Sequence, residues 1–260
     1  MTGRVALITG ASSGIGAALA REFSARGAMV ALAARRADRL RTLAAELGEA
    51  NGRALGLVCD VTREGDLERS VNATRLAFGR IDIVVANAGF AVRGRLDTLA
   101  LEDYRRQFET NVLGVLRTII AGLEELKRTR GCLVLMGSVS SYLALPAGSA
   151  YAMSKFAVRA LAEALREELA PQQIGVTLVC PGFVESEIYE IDNQGVRRPG
   201  TPRRVPRRLV MSTGRAARQI VDAVARRRPE IVVTGHGRLA VLLQRHVPRL
   251  VWWGLRLASR

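Results

Sequence analysis

The chain has 260 residues, of which 48% are hydrophobic, and its formal net charge is +15. This length and composition suit one compact α/β domain with a substantial core, and no linker marks off a second domain. The charge is uneven, because residues 197–260 hold 16 arginines against two acidic residues, whereas residues 1–196 are nearly neutral. A neutral body without a recognisable nucleic-acid motif argues against specific nucleic-acid binding, although the basic end leaves an anionic surface, partner or substrate open.

Neither the N-terminus nor the cysteines point to secretion. The apolar run Val5–Ile8 follows Met1 so closely that we expect a first strand there and no signal peptide. Cys59, Cys132 and Cys180 each lie in or beside an apolar strand-like run and lack the spacing of metal ligands. We therefore expect buried, reduced thiols, no metal site and a cytoplasmic protein.

Short apolar runs alternate with amphipathic stretches of helical length along most of the chain. The predicted strands are Val5–Thr9, Met29–Ala33, Ala54–Cys59, Ile81–Ala86, Cys132–Met136, Val176–Cys180 and Ile231–Val233. The predicted helices are Ile15–Arg26, Ala37–Ala50, Glu64–Phe78, Leu101–Arg128, Ala150–Leu169 and Ala216–Arg226. This alternation predicts a seven-stranded parallel sheet flanked by helices on both faces, the doubly wound α/β arrangement.

A glycine-rich turn joins the first predicted strand to the first predicted helix. Its sequence is Thr9-Gly10-Ala11-Ser12-Ser13-Gly14-Ile15-Gly16. Glycines let the backbone approach a pyrophosphate, and a helix N-terminus offers free amide donors with a partial positive charge. The turn therefore predicts a dinucleotide site that includes Gly10, Ser12, Ser13, Gly14, Ile15 and Gly16.

The end of the second strand bears on which dinucleotide is bound. An acidic residue about 20 positions after the glycines holds a ribose 2′-hydroxyl, whereas a basic residue accommodates a 2′-phosphate. Ala34 and Arg35 stand there, which favours NADP(H) over NAD(H), unless Arg35 and Arg36 only begin an exposed helix. The cofactor residues expected after the third and fourth strands are Asp60, Val61, Asn87, Ala88 and Gly89.

Tyr151 and Lys155 are four residues apart and so share one face of a predicted helix. A phenol ionises near pH ~10, so its use as an acid or base at neutral pH requires a nearby cation to stabilise the phenolate. Alone, the pair could be an exposed helical contact. Ser138 upstream and the glycine turn at the start of the chain favour a catalytic pair instead.

With these motifs, residues 4 to about 190 resemble the short-chain dehydrogenase/reductase family. The resemblance rests on the turn Thr9–Gly16, Asp60, Asn87-Ala88-Gly89, Asn111, Ser138, Tyr151 to Lys155 and Pro181-Gly182. It implies a Rossmann-type domain in which Tyr151 is the general acid/base and Ser138 orients the substrate oxygen. It also implies that Lys155 binds the nicotinamide ribose and lowers the pKa of Tyr151, while Asn111 supports a water relay.

The resemblance extends to the remaining site residues, the substrate and the assembly. Pro181, Gly182 and Val184 would line the cofactor, and Phe183 would contact the substrate together with Ser138 and Tyr151. The implied activity is NADP(H)-dependent interconversion of a carbonyl and a secondary alcohol on a hydrophobic small molecule. Reduction of a 3-oxoacyl thioester, or a non-catalytic NADP(H)-binding regulatory role, remain alternatives. Helix pairing between subunits would give a homodimer or homotetramer.

Two segments depart from the family pattern. Residues 183–212 are rich in prolines, including Pro202, and arginines, which is typical of either a substrate lid or a surface loop. In residues 237–260, an apolar stripe runs beside the arginines Arg238, Arg245, Arg249, Arg256 and Arg260. This amphipathic tail either packs on the domain or a sister subunit, contacts a membrane peripherally, or is disordered. Pro248 is expected to kink or split it.

Overall fold

Seven parallel strands form one sheet in the computed structural model, which describes residues 1–201 and 205–258. The strands are β1 (Val5–Thr9), β2 (Met29–Ala34), β3 (Ala54–Val58), β4 (Ile83–Ala86), β5 (Cys132–Met136), β6 (Gly175–Cys180) and β7 (Glu230–Val232). Their order across the sheet is β3-β2-β1-β4-β5-β6-β7. The predicted doubly wound α/β sheet is thereby confirmed.

Helices cover both faces of this sheet. They are α1 (Gly14–Ala25), α2 (Ala37–Glu46), α3 (Asp66–Phe78), α4 (Leu101–Phe108), α5 (Gly114–Thr129), α6 (Ser149–Leu169), α7 (Thr213–Ala225), α8 (Gly235–His246) and α9 (Pro248–Ala258). Helices α1, α2 and α7 contribute to one buried apolar cluster, and α3, α5 and α6 contribute to the other. Because both faces are covered, the central strands are apolar at nearly every position rather than alternating.

The strand order reverses between β1 and β4. Leu7 of β1 lies opposite Ala31 of β2 on one side and opposite Val84 of β4 on the other. The connections from these two strands leave toward opposite faces of the sheet, which opens a crevice beyond their carboxyl ends. The segments that follow Thr9 and Ala86 therefore border the expected ligand site.

The predicted helix Leu101–Arg128 differs from the structure in one respect. Helices α4 and α5 are joined by a π turn, Glu109–Leu113, which contains Asn111. A π turn accommodates an extra residue without ending the helix, so the apolar periodicity on either side does not reveal it. The turn displaces α5 relative to α4 and sets Asn111 into the interior.

The predicted lid, residues 183–212, leaves the sheet after β6 and returns at α7. Backbone bridges join Val184 to Met211 and Ile191 to Arg197. Between these bridges the chain forms a short 3₁₀ turn, Glu187–Tyr189. Residues 202–204, and with them Pro202, lie outside the described residues.

The predicted tail forms two helices. Helix α8 ends at His246 and α9 begins at Pro248, because proline cannot continue a helix but fits its first turn. Val241 of α8 is buried against the core, whereas no described side chain of α9 is buried. Among the described residues, no helix is long and apolar enough to span a membrane. The end of the tail, including Arg260, lies outside the described part of the chain.

Candidate active site

The glycine turn after β1 packs tightly against the loop after β4. A Cβ atom on Gly16 would lie 2.3 Å from the carbonyl oxygen of Gly10, and one on Gly10 would lie 2.8 Å from Cα of Ala88. Gly10 also has a φ of +66°, which favours glycine. The Asn87 amide donates hydrogen bonds to the carbonyl oxygens of Thr9 (2.9 Å) and Gly10 (3.2 Å). Asn87 therefore fixes the shape of the turn.

The N-terminus of α1 offers an anion-binding surface. Its N-cap residue, Ser13, has an extended backbone and makes no side-chain cap, and the first turn, which contains Ile15, holds no acidic residue. The first amide groups of the helix therefore lack both an internal acceptor and a neighbouring negative charge. Together with the close-packed Gly10 and Gly16, this donor set fits a dinucleotide pyrophosphate.

Arg36, rather than Arg35, lies against the glycine turn. Arg36 donates to Ser12 Oγ from Nε (3.1 Å) and Nη2 (2.9 Å), and to Ser13 Oγ from Nη2 (2.6 Å). The Arg35 side chain is 65% exposed, and its Nη1 lies 4.0 Å from Asp60 Oδ2. The two arginines that follow β2 therefore differ in position. The Arg36 guanidinium is held by the glycine turn, and the Arg35 guanidinium lies at the edge of that turn.

Glu187, from the short turn after β6, lies against the guanidinium groups of Arg36 and Arg39. Arg36 Nη1 and Arg39 Nη1 each donate to its carboxylate at 2.8 Å, and Arg197 Nη2 lies 3.3 Å from it. Burial alone would raise the pKa of Glu187, but the hydrogen bonds from Arg39 and Arg36 lower that pKa to about 2. Glu187 is therefore charged at every physiological pH.

The residues expected after the third and fourth strands lie at the same edge of the sheet. Asp60 Oδ1 accepts hydrogen bonds from the backbone nitrogen (3.0 Å) and hydroxyl (2.8 Å) of Thr62, which fixes the turn after β3. Val61 is buried against Gly114. A Cβ atom on Gly89 would lie 3.0 Å from Asn111 Oδ1, so the loop after β4 approaches the π turn closely.

Asn111 is fully buried and holds that loop in place. Its Oδ1 accepts from the backbone nitrogen of Phe90 (3.1 Å), and its Nδ2 donates to the carbonyl oxygen of Phe90 (3.0 Å) and to Ser154 Oγ (3.3 Å). The side-chain amide thus connects the loop after β4 to α6, next to Lys155. These contacts occupy the side-chain amide. A water relay at Asn111 would therefore use its backbone groups.

Ser138 begins a 3₁₀ turn, Val139–Ser141, at the end of β5. Its Oγ accepts a hydrogen bond from the backbone nitrogen of Ser140 (3.0 Å). A hydroxyl that accepts from the backbone keeps its own proton available for donation. The Ser138 side chain also acts to lower the pKa of Tyr151, which favours the phenolate form of the tyrosine.

Tyr151 and Lys155 both lie in α6 and face the same interior region. Lys155 Nζ donates to the carbonyl oxygen of Met136 at 2.7 Å and lies 5.7 Å from the centroid of the Tyr151 ring. The Lys155 side chain is nearly fully buried, and burial lowers its pKa to about 8. The ammonium group is therefore held by the end of β5, close to the phenol but not bonded to it.

The decrease in the pKa of Tyr151 that the family resemblance implies does not appear in this structure. Burial raises the pKa of Tyr151, and the Ser138 side chain and the charge of Arg93 oppose the increase without cancelling it. The physical reason is that desolvation of the phenolate outweighs the nearby positive charge. At neutral pH the phenol therefore carries its proton.

The loop after β6 is bonded to both the turn Val139–Ser141 and α8. The carbonyl oxygen of Pro181 accepts from the backbone nitrogen of Val139 at 2.9 Å. A Cβ atom on Gly182 would lie 2.2 Å from Thr234 Oγ1, which leaves room for glycine alone. The Phe183 nitrogen donates to His236 Nε2 at 3.2 Å, and the two rings stack with centroids 5.2 Å apart.

Val184 and Phe183 differ in how they reach the site. Val184 is buried in the core and pairs with Met211, so only its backbone is placed to contact a cofactor. Phe183 is partly exposed, and its ring stacks on that of His236. The structure thus brings Asn111, Ser138, Tyr151 and Lys155 together, next to the loop that contains Pro181 and Gly182.

Four residues near the site were not assigned to it from the sequence, namely Arg39, Ser186, Glu187 and His236. Arg39 follows Arg36 by three residues, so helical spacing alone would have placed both on one face of α2. No local pattern indicates that Glu187 or His236 reaches the site, because each does so through a contact with a residue far away in the sequence.

Comparison with known proteins agrees with this geometry. The family model described as short chain dehydrogenase matches residues 4–196. The chain is 35% identical to 11-beta-hydroxysteroid dehydrogenase 1A from Arabidopsis thaliana, over 98% of this chain and 75% of that protein.

Two solved structures share the fold over nearly the whole chain. An alcohol dehydrogenase from Thermococcus sibiricus in complex with 5-hydroxy-NADP is 31% identical, with a TM-score of 0.76 over 89% of this chain and 96% of the other. A short chain dehydrogenase/reductase from Burkholderia phymatum in complex with NAD is 26% identical, with a TM-score of 0.85 over 96% and 95%. The chain therefore belongs to the short-chain dehydrogenase family and is an oxidoreductase that acts on CH–OH groups with a nicotinamide cofactor.

Proposed function

We propose that this protein uses NADP(H) to interconvert a carbonyl and a secondary alcohol on a hydrophobic substrate, with Tyr151 as the general acid/base. The observation that carries the proposal is the grouping of Ser138, Tyr151 and Lys155 at the same edge of the sheet as the glycine turn. Each residue comes from a different part of the chain or a different helical turn. Their convergence at the carboxyl edge of the sheet provides proton chemistry at the place where a nicotinamide is expected.

The bound cofactor supplies the hydride for the reaction. The protein supplies the proton and the orientation of the substrate. Tyr151, which is protonated at neutral pH, donates to the oxygen that becomes negative as the carbonyl is reduced. Ser138 donates its hydroxyl proton to the same oxygen, because its Oγ already accepts from the Ser140 nitrogen and so directs the proton away from the backbone.

Lys155 and Arg93 contribute positive charge around the phenolate. Lys155 is held by the carbonyl oxygen of Met136, close enough to the ring to stabilise its anionic form. The charge of Arg93 acts in the same direction. We propose that Lys155 also contacts the nicotinamide ribose and that the Asn111 backbone supports a water relay to it.

The arginines at the end of β2 support NADP(H) over NAD(H). Arg36 is anchored by Ser12 and Ser13 at the point where a 2′-phosphate would approach the turn, and Arg35 extends at its rim. A guanidinium pair there favours a phosphate over a hydroxyl because it can donate charge-assisted hydrogen bonds to the phosphate oxygens. The 5-hydroxy-NADP complex of the Thermococcus sibiricus relative is consistent with this preference.

The substrate is proposed to be hydrophobic, in keeping with the hydroxysteroid dehydrogenases to which the chain is similar. Phe90 and Val92 form a small buried apolar cluster with Ala150, the residue before Tyr151, and Phe183 and Tyr189 lie in the lid. Reduction of a 3-oxoacyl thioester is the alternative within the same chemistry, and a non-catalytic regulatory role is the alternative outside it. The complete group of Asn111, Ser138, Tyr151 and Lys155 favours an enzyme.

The test is oxidation of NADPH and NADH, followed by absorbance, with a panel of substrates. The panel contains ketosteroids, aliphatic ketones, aldehydes and a 3-oxoacyl thioester. We expect turnover with a hydrophobic ketone and a higher kcat/KM with NADPH than with NADH. Turnover of the thioester alone would select the alternative substrate class, and cofactor binding without any turnover would favour the regulatory role.

We further propose that the tail, helices α8 and α9, contacts an anionic membrane surface. Several apolar side chains of the tail are exposed, namely Leu239 (57%), Leu242 (53%), Leu250 (58%), Trp252 (47%) and Trp253 (61%). Arginines lie beside them, and after Glu230 the chain contains no acidic residue. Apolar area next to positive charge is the combination by which a helix lies on a charged lipid surface.

The two tryptophans of the protein report this contact directly, because both lie in α9. We expect their emission to shift to shorter wavelength with vesicles of phosphatidylcholine mixed with phosphatidylserine, and the shift to weaken with added salt. Arg249→Glu should reduce the shift, whereas Arg226→Glu, just after the end of α7, should not. An equal shift with phosphatidylcholine alone, or no shift, would contradict an anionic membrane partner.

We also propose that the protein forms a homodimer or homotetramer through α5 and α6. Apolar side chains are exposed on both helices, among them Ile120 (68%), Met153 (51%) and Phe156 (42%). Exposed apolar residues on neighbouring helices are typical of a subunit interface.

The cytoplasmic location expected from the cysteines stays a prediction.

A further inference from the structure

An internal carboxylate lies at the proposed 2′-phosphate position. Both oxygens of Glu187 accept hydrogen bonds from Arg39 at 2.8 Å, and one of them also accepts from Arg36 at 2.8 Å. Arg197, on the same side of the cleft, lies 3.3 Å from the carboxylate. We call Glu187, Arg36, Arg39 and Arg197 the Glu187 cluster.

Arg36 donates hydrogen bonds both to the glycine turn and to the Glu187 carboxylate. Its Nε and Nη2 donate to the Ser12 and Ser13 hydroxyls, and its Nη1 donates to Glu187. The three nitrogens of the guanidinium are therefore engaged. An anionic group that binds Arg36 through Nη1 must first replace a negative charge that is already there.

Space for such a group adjoins the cluster. A cleft of about 450 Å³ opens between the glycine turn, α2 and the lid. Its walls include Ser12, Ser13, Arg39 and Glu187. The lining also includes the Arg21 guanidinium and the carboxylates of Glu46 and Glu185, of which Glu46 is paired with Arg21. Removal of the Glu187 charge would leave the Arg39 guanidinium at the wall of the cleft without its acceptor, which suits a phosphate.

We propose that Glu187 is a specificity-determining residue that competes with the cofactor 2′-phosphate for Arg36 and Arg39. Binding of NADP(H) then displaces the Glu187–Tyr189 turn, whereas binding of NAD(H), which lacks the phosphate, leaves the Glu187 cluster in place. The proposal rests on the proposed NADP(H)-dependent function and adds an internal competitor to it.

The displaced turn also reaches the catalytic end of the cleft. The carbonyl oxygen of Ile188 accepts from Arg93 Nη1 at 3.2 Å, and the Arg93 guanidinium lies 5.1 Å from the centroid of the Tyr189 ring. Arg93 in turn acts on the charge of Tyr151. One short turn therefore contacts both the 2′-phosphate position and the surroundings of the general acid/base.

The test compares wild type with Glu187→Gln, which keeps the shape of the side chain and removes its charge. Dissociation constants for NADPH and NADH are measured by fluorescence titration. Because a charge-assisted hydrogen bond no longer competes, we expect the Kd for NADPH to fall roughly tenfold and the Kd for NADH to change little. Glu187→Asp, which retains the charge, should stay nearer to wild type and guards against a folding defect in the glutamine variant.

Glu190→Gln is the matched control. Glu190 lies in the same lid and pairs with Arg197 at 2.8 Å, but it makes no described contact with Arg36 or Arg39. Its loss should leave the ratio of the two Kd values unchanged. A change of similar size in Glu190→Gln and Glu187→Gln would show a general effect of lid charge and overturn the proposal.

Hydrogen exchange of residues 186–191 provides the second readout. In wild type, saturating NADPH and NADH should give different exchange in this turn, and in Glu187→Gln the difference should disappear. If wild type binds and oxidises NADPH but Glu187→Gln leaves the Kd ratio unchanged, the inference is wrong and the proposed function stands. If wild type does not bind NADPH, both fall together.

Discussion

Burial sets the protonation of the two residues at the centre of the site. It raises the pKa of Tyr151 and lowers that of Lys155 to about 8, because in each case the charged form loses hydration. At neutral pH the pair therefore consists of a neutral phenol and an ammonium ion. This combination suits proton donation to a carbonyl oxygen, since the phenol has a proton to give and the resulting phenolate lies next to a positive charge.

The protonation of His236 makes the free energy of unfolding depend on pH. Burial lowers the pKa of His236, so the neutral ring is favoured in the folded state and its Nε2 accepts from the Phe183 nitrogen. A group whose pKa is lowered on folding contributes stability above its ordinary value, near ~6.5, and that contribution is lost as the pH falls through the folded value. The free energy of unfolding should therefore decrease on acidification from neutral pH.

Chemical denaturation at several pH values measures this contribution. Replacement of the ring by an apolar side chain in His236→Leu should reduce the decrease between neutral pH and pH ~5, because the titrating group is absent. His246, the other histidine of the chain, is exposed at the end of α8, and His246→Leu is the control. Parallel pH profiles for wild type and His236→Leu would contradict the assignment.

At the scale of elements, the π turn between α4 and α5 aligns three parts of the site. Asn111 within it bonds the Phe90 backbone and Ser154, and so joins the loop after β4 to α6. Asn111→Ala would leave the buried nitrogen of Phe90 without its acceptor, although Gln107 still donates to the carbonyl oxygen of Phe90. We expect a loss of roughly 1 to 3 kcal/mol in the free energy of unfolding, together with a lower kcat.

Denaturation and steady-state kinetics on the same samples check this prediction. Asn72→Ala, on the exposed face of α3, is a matched control and should change neither quantity appreciably. If Asn111→Ala lowered kcat without a loss of stability, Asn111 would act on the reaction itself, and the connecting role proposed for its side chain would be wrong.

Elements defined by local pattern were predictable from the sequence, and those defined by distant contacts were not. The glycine turn and the pair in α6 follow from spacing, so their positions at the edge of the sheet agree with expectation. The π turn keeps the apolar periodicity of its neighbours, which hid it within one long predicted helix. Glu187 reaches Arg36 across 151 positions, and no local signal encodes that contact.

The two arginines after β2 show the same limit. Both were evident from the sequence, but which of them faces the glycine turn depends on contacts that the sequence does not reveal. Arg36 bonds Ser12 and Ser13 because α2 begins immediately after it and directs its side chain back toward α1. Arg35, chosen from its position in the motif, lies at the rim.

At the scale of the whole molecule, exposed apolar residues on α5 bear on assembly. If Ile120 lies in an interface between subunits, Ile120→Glu buries an unpaired charge there and should produce monomers. Leu76→Glu is the control, because Leu76 on α3 is also exposed, at 80%, and lies outside the proposed interface. Light scattering coupled to size exclusion gives the mass, and a monomeric wild type would contradict the proposed assembly.

The reaction depends on the molecule as a whole, because the glycine turn, the turn after β5 and α6 must act on one substrate. NADPH oxidation with the best ketone in wild type, Tyr151→Phe and Tyr104→Phe tests whether they do. We predict that Tyr151→Phe lowers kcat by about 10²- to 10⁴-fold while NADPH still binds, and that Tyr104→Phe, whose hydroxyl bonds Ser149 outside the catalytic group, stays near wild type. Turnover by Tyr151→Phe equal to that of wild type would contradict the account.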